Sequence, residues 1–423
     1  MDNHALAGML LVLAAVLFCC GCTGTQAAPA GQEGGSTGIV IGALLPLTGD
    51  FSESGLASKA ALAVAAEDIN AYFAATGSGT TLNVITEDTA TDPAVALEKL
   101  KLLEGKGVRL VIGPESSTEL AAVRSYADEH GIVLISTMST APSLAIPGDN
   151  VFRFVPTDAR QADALVSYLG SEKTTALVPV WRNDLWGSEL HNLTAAKATA
   201  GGIAVSDGIS YSPGSADFPA IAAALDREVG EVSALHNRDS TAVYAVTYSE
   251  IAPIMAAAAG TKNLSGVRWY GSDSNVLTGS LITPGDAAQF AAKTRFTGPA
   301  FGDTTISPRD QAIYDRIQQK LGRQPDGYSQ ATYDALWLAA LAGTLVPRNA
   351  DAAQLKTTIT GLSSVFGGPF HGPLELDAAG DRSSAHYGFW RLEAGGSVYR
   401  WVPVAQYDFW AEGANPVMRP VRT

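Results

Sequence analysis

From Ile39 onward, short apolar runs alternate with stretches in which apolar residues recur every three to four positions. Ile39–Leu45 (IVIGALL) predicts a buried strand. Leu56, Ala60, Ala63, Val64 and Ile69 then line one face of a helix over 56–72. Strands over 81–87, 109–112 and 132–136 alternate with helices over 92–104 and 117–130. After Phe154-Val155-Pro156-Thr157-Asp158 the rhythm restarts with helix 158–169, strand 175–180, helix 187–199, strand 203–209 and helix 218–229. Strand 242–247, helix 249–259 and strand 267–270 complete that series. Helices follow over 309–321 and 328–346. The second is apolar nearly all round and predicts a core helix rather than a membrane span, because Asp334 and Gly343 interrupt it. The C-terminal segment, rich in Gly, Trp and Tyr, reads as short strands and loops. Strands that alternate with helices in this way imply βαβ units with right-handed crossovers. The expected fold class is α/β, two doubly wound parallel-sheet lobes, with a ligand cleft outside the carboxyl ends of the strands.

Charge and cysteine usage narrow the function classes. Against 28 Lys plus Arg stand 42 Asp plus Glu, a formal charge of −14, which argues against nucleic acid as a partner. The three cysteines are Cys19, Cys20 and Cys22, so nothing beyond them can form a disulfide or a thiolate metal site. The six histidines show no HExxH or HxH spacing, and no P-loop, G-x-G-x-x-G after a strand or G-x-S-x-G elbow is present. No cofactor, metal or enzymatic activity is expected.

Ala5–Cys20 is apolar but shorter than the ~20 residues that span hydrocarbon as a helix. It runs into Cys-Cys-Gly-Cys and a Gly/Ala/Thr-rich stretch. Residues 1–22 resemble a lipoprotein signal, with Gly21 before a lipid-accepting Cys22 and a flexible tether over 23–38. That implies anchoring by lipid to the outer face of the cell membrane. The leader contains no Lys or Arg, the first being Lys59, so an uncleaved anchor with free thiols stays open.

Four blocks carry a further resemblance: Ile41-Gly42-Ala43-Leu44-Leu45-Pro46-Leu47-Thr48-Gly49-Asp50, Val111-Ile112-Gly113-Pro114-Glu115-Ser116-Ser117, Ile135-Ser136-Thr137-Met138-Ser139-Thr140-Ala141-Pro142, and Asn150-Val151-Phe152-Arg153. In this order and spacing the chain resembles the type I periplasmic binding proteins, most of all the leucine/isoleucine/valine-binding receptors of ABC transporters. The resemblance implies a Venus-flytrap receptor that closes on a small amino-acid-like ligand and delivers it to ABC permease subunits. It also implies that the chain crosses between lobes three times. Lobe one would comprise 39–157 with 302–366, and lobe two 158–301 with 367–423. The crossings fall near Val155–Asp158, Gly298–Asp303 and Phe366–Pro373. A ligand-sensing module reporting to a signalling partner is an alternative, as is a receptor for an amide or urea.

A zwitterionic ligand needs donors for its carboxylate and acceptors for its ammonium, since an unpaired buried charge costs several kcal/mol. The turn Gly113–Ser117 enters a helix, and exposed amides at a helix start suit a carboxylate. Ser117 is the candidate contact there. Ser116 is a second, although Ser116 and Glu119 also fit a capping box. By the resemblance, the Met138 carbonyl accepts from the ammonium and the Thr140 hydroxyl bonds the ligand; the local alternative is an ST-turn. Asp273 matches the acid that pairs with the ammonium, with helix capping as its alternative. Trp186 and Tyr248 match aromatic walls, which core packing would also explain. Ser54 stands where some relatives carry a wall aromatic, so a roomier pocket is expected. Asn192 and Asn263 head glycosylation sequons.

Overall fold

The computed structural model describes residues 37–214, 217–366, 368–371, 374–410 and 415–421. The leader, its Cys22 and most of the tether lie outside them. The first sheet holds β1 (Thr37–Leu45), β2 (Thr80–Asp88), β3 (Leu110–Ile112), β4 (Val133–Ser136) and β5 (Val151–Arg153), parallel throughout in the order β2-β1-β3-β4-β5. Its connecting helices are α1 (Ser52–Ala75), α2 (Pro93–Gly105) and α3 (Ser117–His130). Side chains alternate along β1 as the pleat requires. Ile41, Ala43 and Leu45 enter the core beneath α1, while Leu44 enters the opposite core beneath α2 and α3.

The second sheet is built on β6 (Ala176–Arg182), β7 (Ala204–Val205), β8 (Ile209–Tyr211), β9 (Thr241–Val246), β10 (Arg268–Gly271) and β11 (Thr297–Phe301), all parallel. Helices α4 (Asp158–Ser171), α5 (Leu185–Ala200), α6 (Phe218–Leu235), α7 (Ile251–Ala258) and α8 (Asp286–Lys293) belong to this half. The chain then returns to the first lobe through α9 (Gln311–Leu321), α10 (Gly327–Leu345) and α11 (Ala352–Ser363), whose apolar residues join the core under α1. Helix α10 is buried from Gly327 to Ala342, as its all-round apolar sequence requires.

Three expectations need correction. The predicted strand over 203–209 is two short strands, β7 and β8, each paired with β6. The C-terminal segment is a long hairpin, β12 (Ala385–Gly395) and β13 (Val398–Phe409), followed by β14 (Val417–Pro420). These strands add antiparallel to β11, so the second sheet is mixed rather than wholly parallel. Finally, the third crossing lies beyond 366–373. Leu374 and Leu376 pack into the first core. Arg153 exchanges backbone hydrogen bonds with Gly380 and Arg382, holding the chain on β5 until just before β12. The cause is the buried Arg153–Asp381 pair, whose partners are both almost inaccessible to water.

Candidate functional site

The turn from β3 into α3 rises at the carboxyl edge of the first sheet. Gly113 adopts φ +94°, and a Cβ there would lie 2.2 Å from the Leu44 carbonyl, so only glycine fits. Ser116 caps α3. Its hydroxyl accepts from the Glu119 amide and donates to the Glu119 carboxylate at 2.7 Å, while Glu119 reaches back to the Ser116 amide. The Ser116 hydroxyl is therefore spent within the helix end. Ser117 Oγ accepts from the amides of Thr140 and Ala141 and from the Ser139 hydroxyl, each at 3.2 Å. This ties the α3 start to the loop after β4. Helix geometry leaves the amides of Ser117 and Thr118 without intrahelical acceptors. Behind the loop, Arg153 donates to the Ala141 carbonyl at 2.7 Å and to Asp381 through Nε at 2.6 Å.

Across the cleft a chain of polar groups joins the lobes. The Thr140 carbonyl accepts from the Asp158 amide at 2.9 Å, at the first residue of α4. Gln161 donates to Asp158 at 2.9 Å and accepts from the Asp273 amide at 3.0 Å. Asp273, just beyond β10, in turn accepts from the hydroxyls of Tyr328 and Ser274. Burial pushes both acids up, and the mutual repulsion of two carboxylates raises Asp158 further. The nearby Thr140 hydroxyl and Arg153 pull Asp158 down, but one of its oxygens has no partner.

Beside this chain stands an aromatic stack. Phe51, from the first lobe, lies 4.2 Å from Tyr248, which lies 4.8 Å from Trp186. The Arg182 guanidinium sits 3.7 Å over the Tyr248 ring and bonds Asp50, Asp184 and Glu250. Asp50 comes from the opposite lobe, as does Glu53, which accepts from the amides of Gly279 and Ser280. Together these contacts hold the lobes closed. The gap left among Phe51, Ser54, Met138, Asp273, Leu277 and Tyr328 amounts to about 10 Å³, roughly one water. Ser54 lines this gap together with Phe51, whose ring stacks on Tyr248.

Of the sequence-predicted residues, Met138 and Asp273 line the gap; Ser117 is bonded to the Thr140 amide, Ser116 caps α3, and Trp186 and Tyr248 stack on each other beside Arg182. Sequence reasoning passed over Phe51, Glu115, Asp158, Arg182 and Tyr328. Of these, Glu115 had a local signal. It is an acid in a strand-to-helix turn whose cap already has its own glutamate. The others depend on which segments face each other across the hinge. Asn263, the second sequon, spends its side-chain amide on Asp226. Asp303, His386 and Asp408 converge near the second crossing, but the Gln406 amide bridges both carboxylates and Arg419 pairs with Asp408. Protein donors already satisfy that cluster.

A family model described as periplasmic binding protein matches residues 38–397. The chain belongs to the periplasmic binding protein family. Among relatives of this binding protein, an uncharacterized protein of Methanocaldococcus jannaschii is 27% identical over 415 residues, 94% of this chain and 96% of its own. A Leu/Ile/Val-binding protein of Rhizobium johnstonii is 29% identical over 196 residues, 46% of this chain and 53% of its own. The solute binding protein of an ABC transporter from Rhodopseudomonas palustris, in complex with 3,4-dihydroxybenzoic acid, is similar in fold, with TM-score 0.71 and 16% identity over 89% of this chain and 99% of its own. The two-lobed α/β architecture is that of the family.

Proposed function

We propose that this binding protein is the extracytoplasmic receptor of an ABC importer, closing its lobes on a small amino acid and presenting it to permease subunits. The observation that carries the reading is the buried pair Asp158 and Asp273, joined through Gln161, of which Asp273 lines the gap and neither is bonded to a cation among the described residues. The three cations near this pair and the gap are engaged elsewhere, Arg153 by Asp381. Arg182 is held by three carboxylates, and Arg323 donates to the carbonyls of Leu277, Gln324 and Glu53. A ligand ammonium seated between Asp158 and Asp273 would supply the missing charge. Its carboxylate would take the free amides at the start of α3 and the Thr140 hydroxyl, with the Met138 carbonyl as a further acceptor for the ammonium. Trp186 and Tyr248 would close over it. Ser117 then acts chiefly by fixing the loop that presents these groups.

The same acids disfavour a ligand carrying only negative charge, such as the aromatic acid bound by the Rhodopseudomonas protein. Lipid attachment at Cys22 would keep the receptor beside its permease. Isothermal titration with a panel of amino acids tests the reading, using wild type and Asp273→Asn. Charge-assisted bonds contribute about 1.5–3 kcal/mol each, so the variant should bind roughly 10- to 100-fold more weakly. Unchanged affinity would remove the ammonium seat.

A further inference from the structure

One acid behind the gap, next to the Ser116 cap and close to Asp326 on the gap wall, is used neither by the fold nor by the ammonium seat. Glu115, in the turn between β3 and α3, is fully buried, and neither of its carboxyl oxygens has a hydrogen-bond partner. The Ser58 hydroxyl is near enough to favour its charge but does not reach bonding geometry, while Glu119 and Asp326 oppose that charge. Around it the floor of the first lobe is polar. Ser58 Oγ and Thr332 Oγ1 are 3.2 Å apart, Thr137 and Thr332 share a hydrogen bond at 2.9 Å, and Thr332 donates to the carbonyl of Tyr328, whose ring lines the gap. A pocket made for a branched hydrocarbon would place apolar carbon at such a floor. An unpaired buried carboxyl is costly, and a structure retains it most readily where something else pairs with it.

We infer that Glu115 reads the far end of the ligand, and that this end is a hydrogen-bond donor, an amine or an amide, rather than an aliphatic side chain. The inference rests on the amino-acid reading above and specifies the side chain. Donors of this kind satisfy both carboxyl oxygens. A site built to bond a polar group rejects the analogue that lacks it, because the protein group is then left unpaired. An ammonium gains more than an amide, since Glu119 and Asp326 add negative charge and no cation competes among the described residues bonded nearby.

The test is calorimetric titration at neutral pH with leucine, glutamine and ornithine against wild type, Glu115→Gln and Glu115→Leu. Ornithine and glutamine should bind wild type about tenfold or more tightly than leucine. Glu115→Leu should reverse that order, and Glu115→Gln should remove the advantage of ornithine over glutamine. Leucine binding as tightly as either polar ligand to wild type overturns the inference while leaving the amino-acid reading intact. So does a ranking that Glu115→Gln leaves unchanged, and this isosteric variant decides the matter if Glu115→Leu does not fold. No heat with any of the three, at protein concentrations where thermal unfolding is cooperative, removes the amino-acid reading and this inference with it.

Discussion

Replacing Glu115 by glutamine should make the empty protein more stable, and by an amount that grows with pH. Burial, with no hydrogen bond to offset it, raises the Glu115 carboxyl from 4.5 to about 8. The folded chain therefore keeps a proton that the unfolded chain has released over this interval. Stability associated with this group is fully present below pH 4.5 and is lost as pH rises towards 8. The gap of about 3.5 pH units, at ~1.4 kcal/mol each, sets an upper bound of ~5 kcal/mol, and relaxation of the turn would reduce it to a few. Glutamine has nearly the same shape and no charge to bury. Urea unfolding of wild type and Glu115→Gln between pH 5 and pH 9 measures the effect. At pH 5 the two should agree within ~1 kcal/mol, whereas at pH 8 the variant should lead by several. Asp149, Asp158 and Glu250 are also raised by burial, but they titrate in both proteins and cancel in the difference. A difference that stays constant with pH would show that Glu115 is hydrated or paired, and would refute the reasoning.

Two further substitutions probe the frame around the gap. Gly113→Ala forces a side chain into φ +94° against the Leu44 carbonyl and should cost about 2 kcal/mol or more in thermal unfolding; an unchanged midpoint would mean the turn can relax. Arg153→Ala strands the buried Asp381 carboxylate and should cost about 3–5 kcal/mol in chemical denaturation. Adding Asp381→Ala should recover part of that loss, and a double variant as weak as the two losses added together would deny the pairing.

Where local chemistry decides structure, the sequence is easily read. Helix α3 begins at Ser117 and ends at His130 as expected, because a capping box opens it and Gly131 in the left-handed region closes it. The resemblance likewise pointed to Ser117 and Thr140, which are hydrogen-bonded to each other, and to Asp273, which lines the gap. Elements with weak local signals were passed over. Helix α8 spans only Asp286–Lys293, and β5 and β11 are short strands whose place is set by their neighbours. The β12–β13 hairpin was missed because its strands carry alternating aromatic and polar residues around glycines, which resembles loop composition. At the site, Asp158 looks like a first-turn acid of α4, and Phe51 looks like a residue ahead of α1. Their partners, Asp273 and Tyr248, lie 115 and 197 positions away; the fold of the second half joins the first pair, and only closure of the lobes joins the second.

The Arg153–Asp381 pair also has a consequence for biogenesis. The two residues are 228 positions apart, and the arginine props the ligand loop through the Ala141 carbonyl. A chain emerging from its N-terminus therefore acquires the scaffold of its first lobe long before the counter-ion that completes it. Until Asp381 arrives, Arg153 has no partner for a charge that the finished lobe buries. The first lobe is thus completed only by the C-terminal part of the chain.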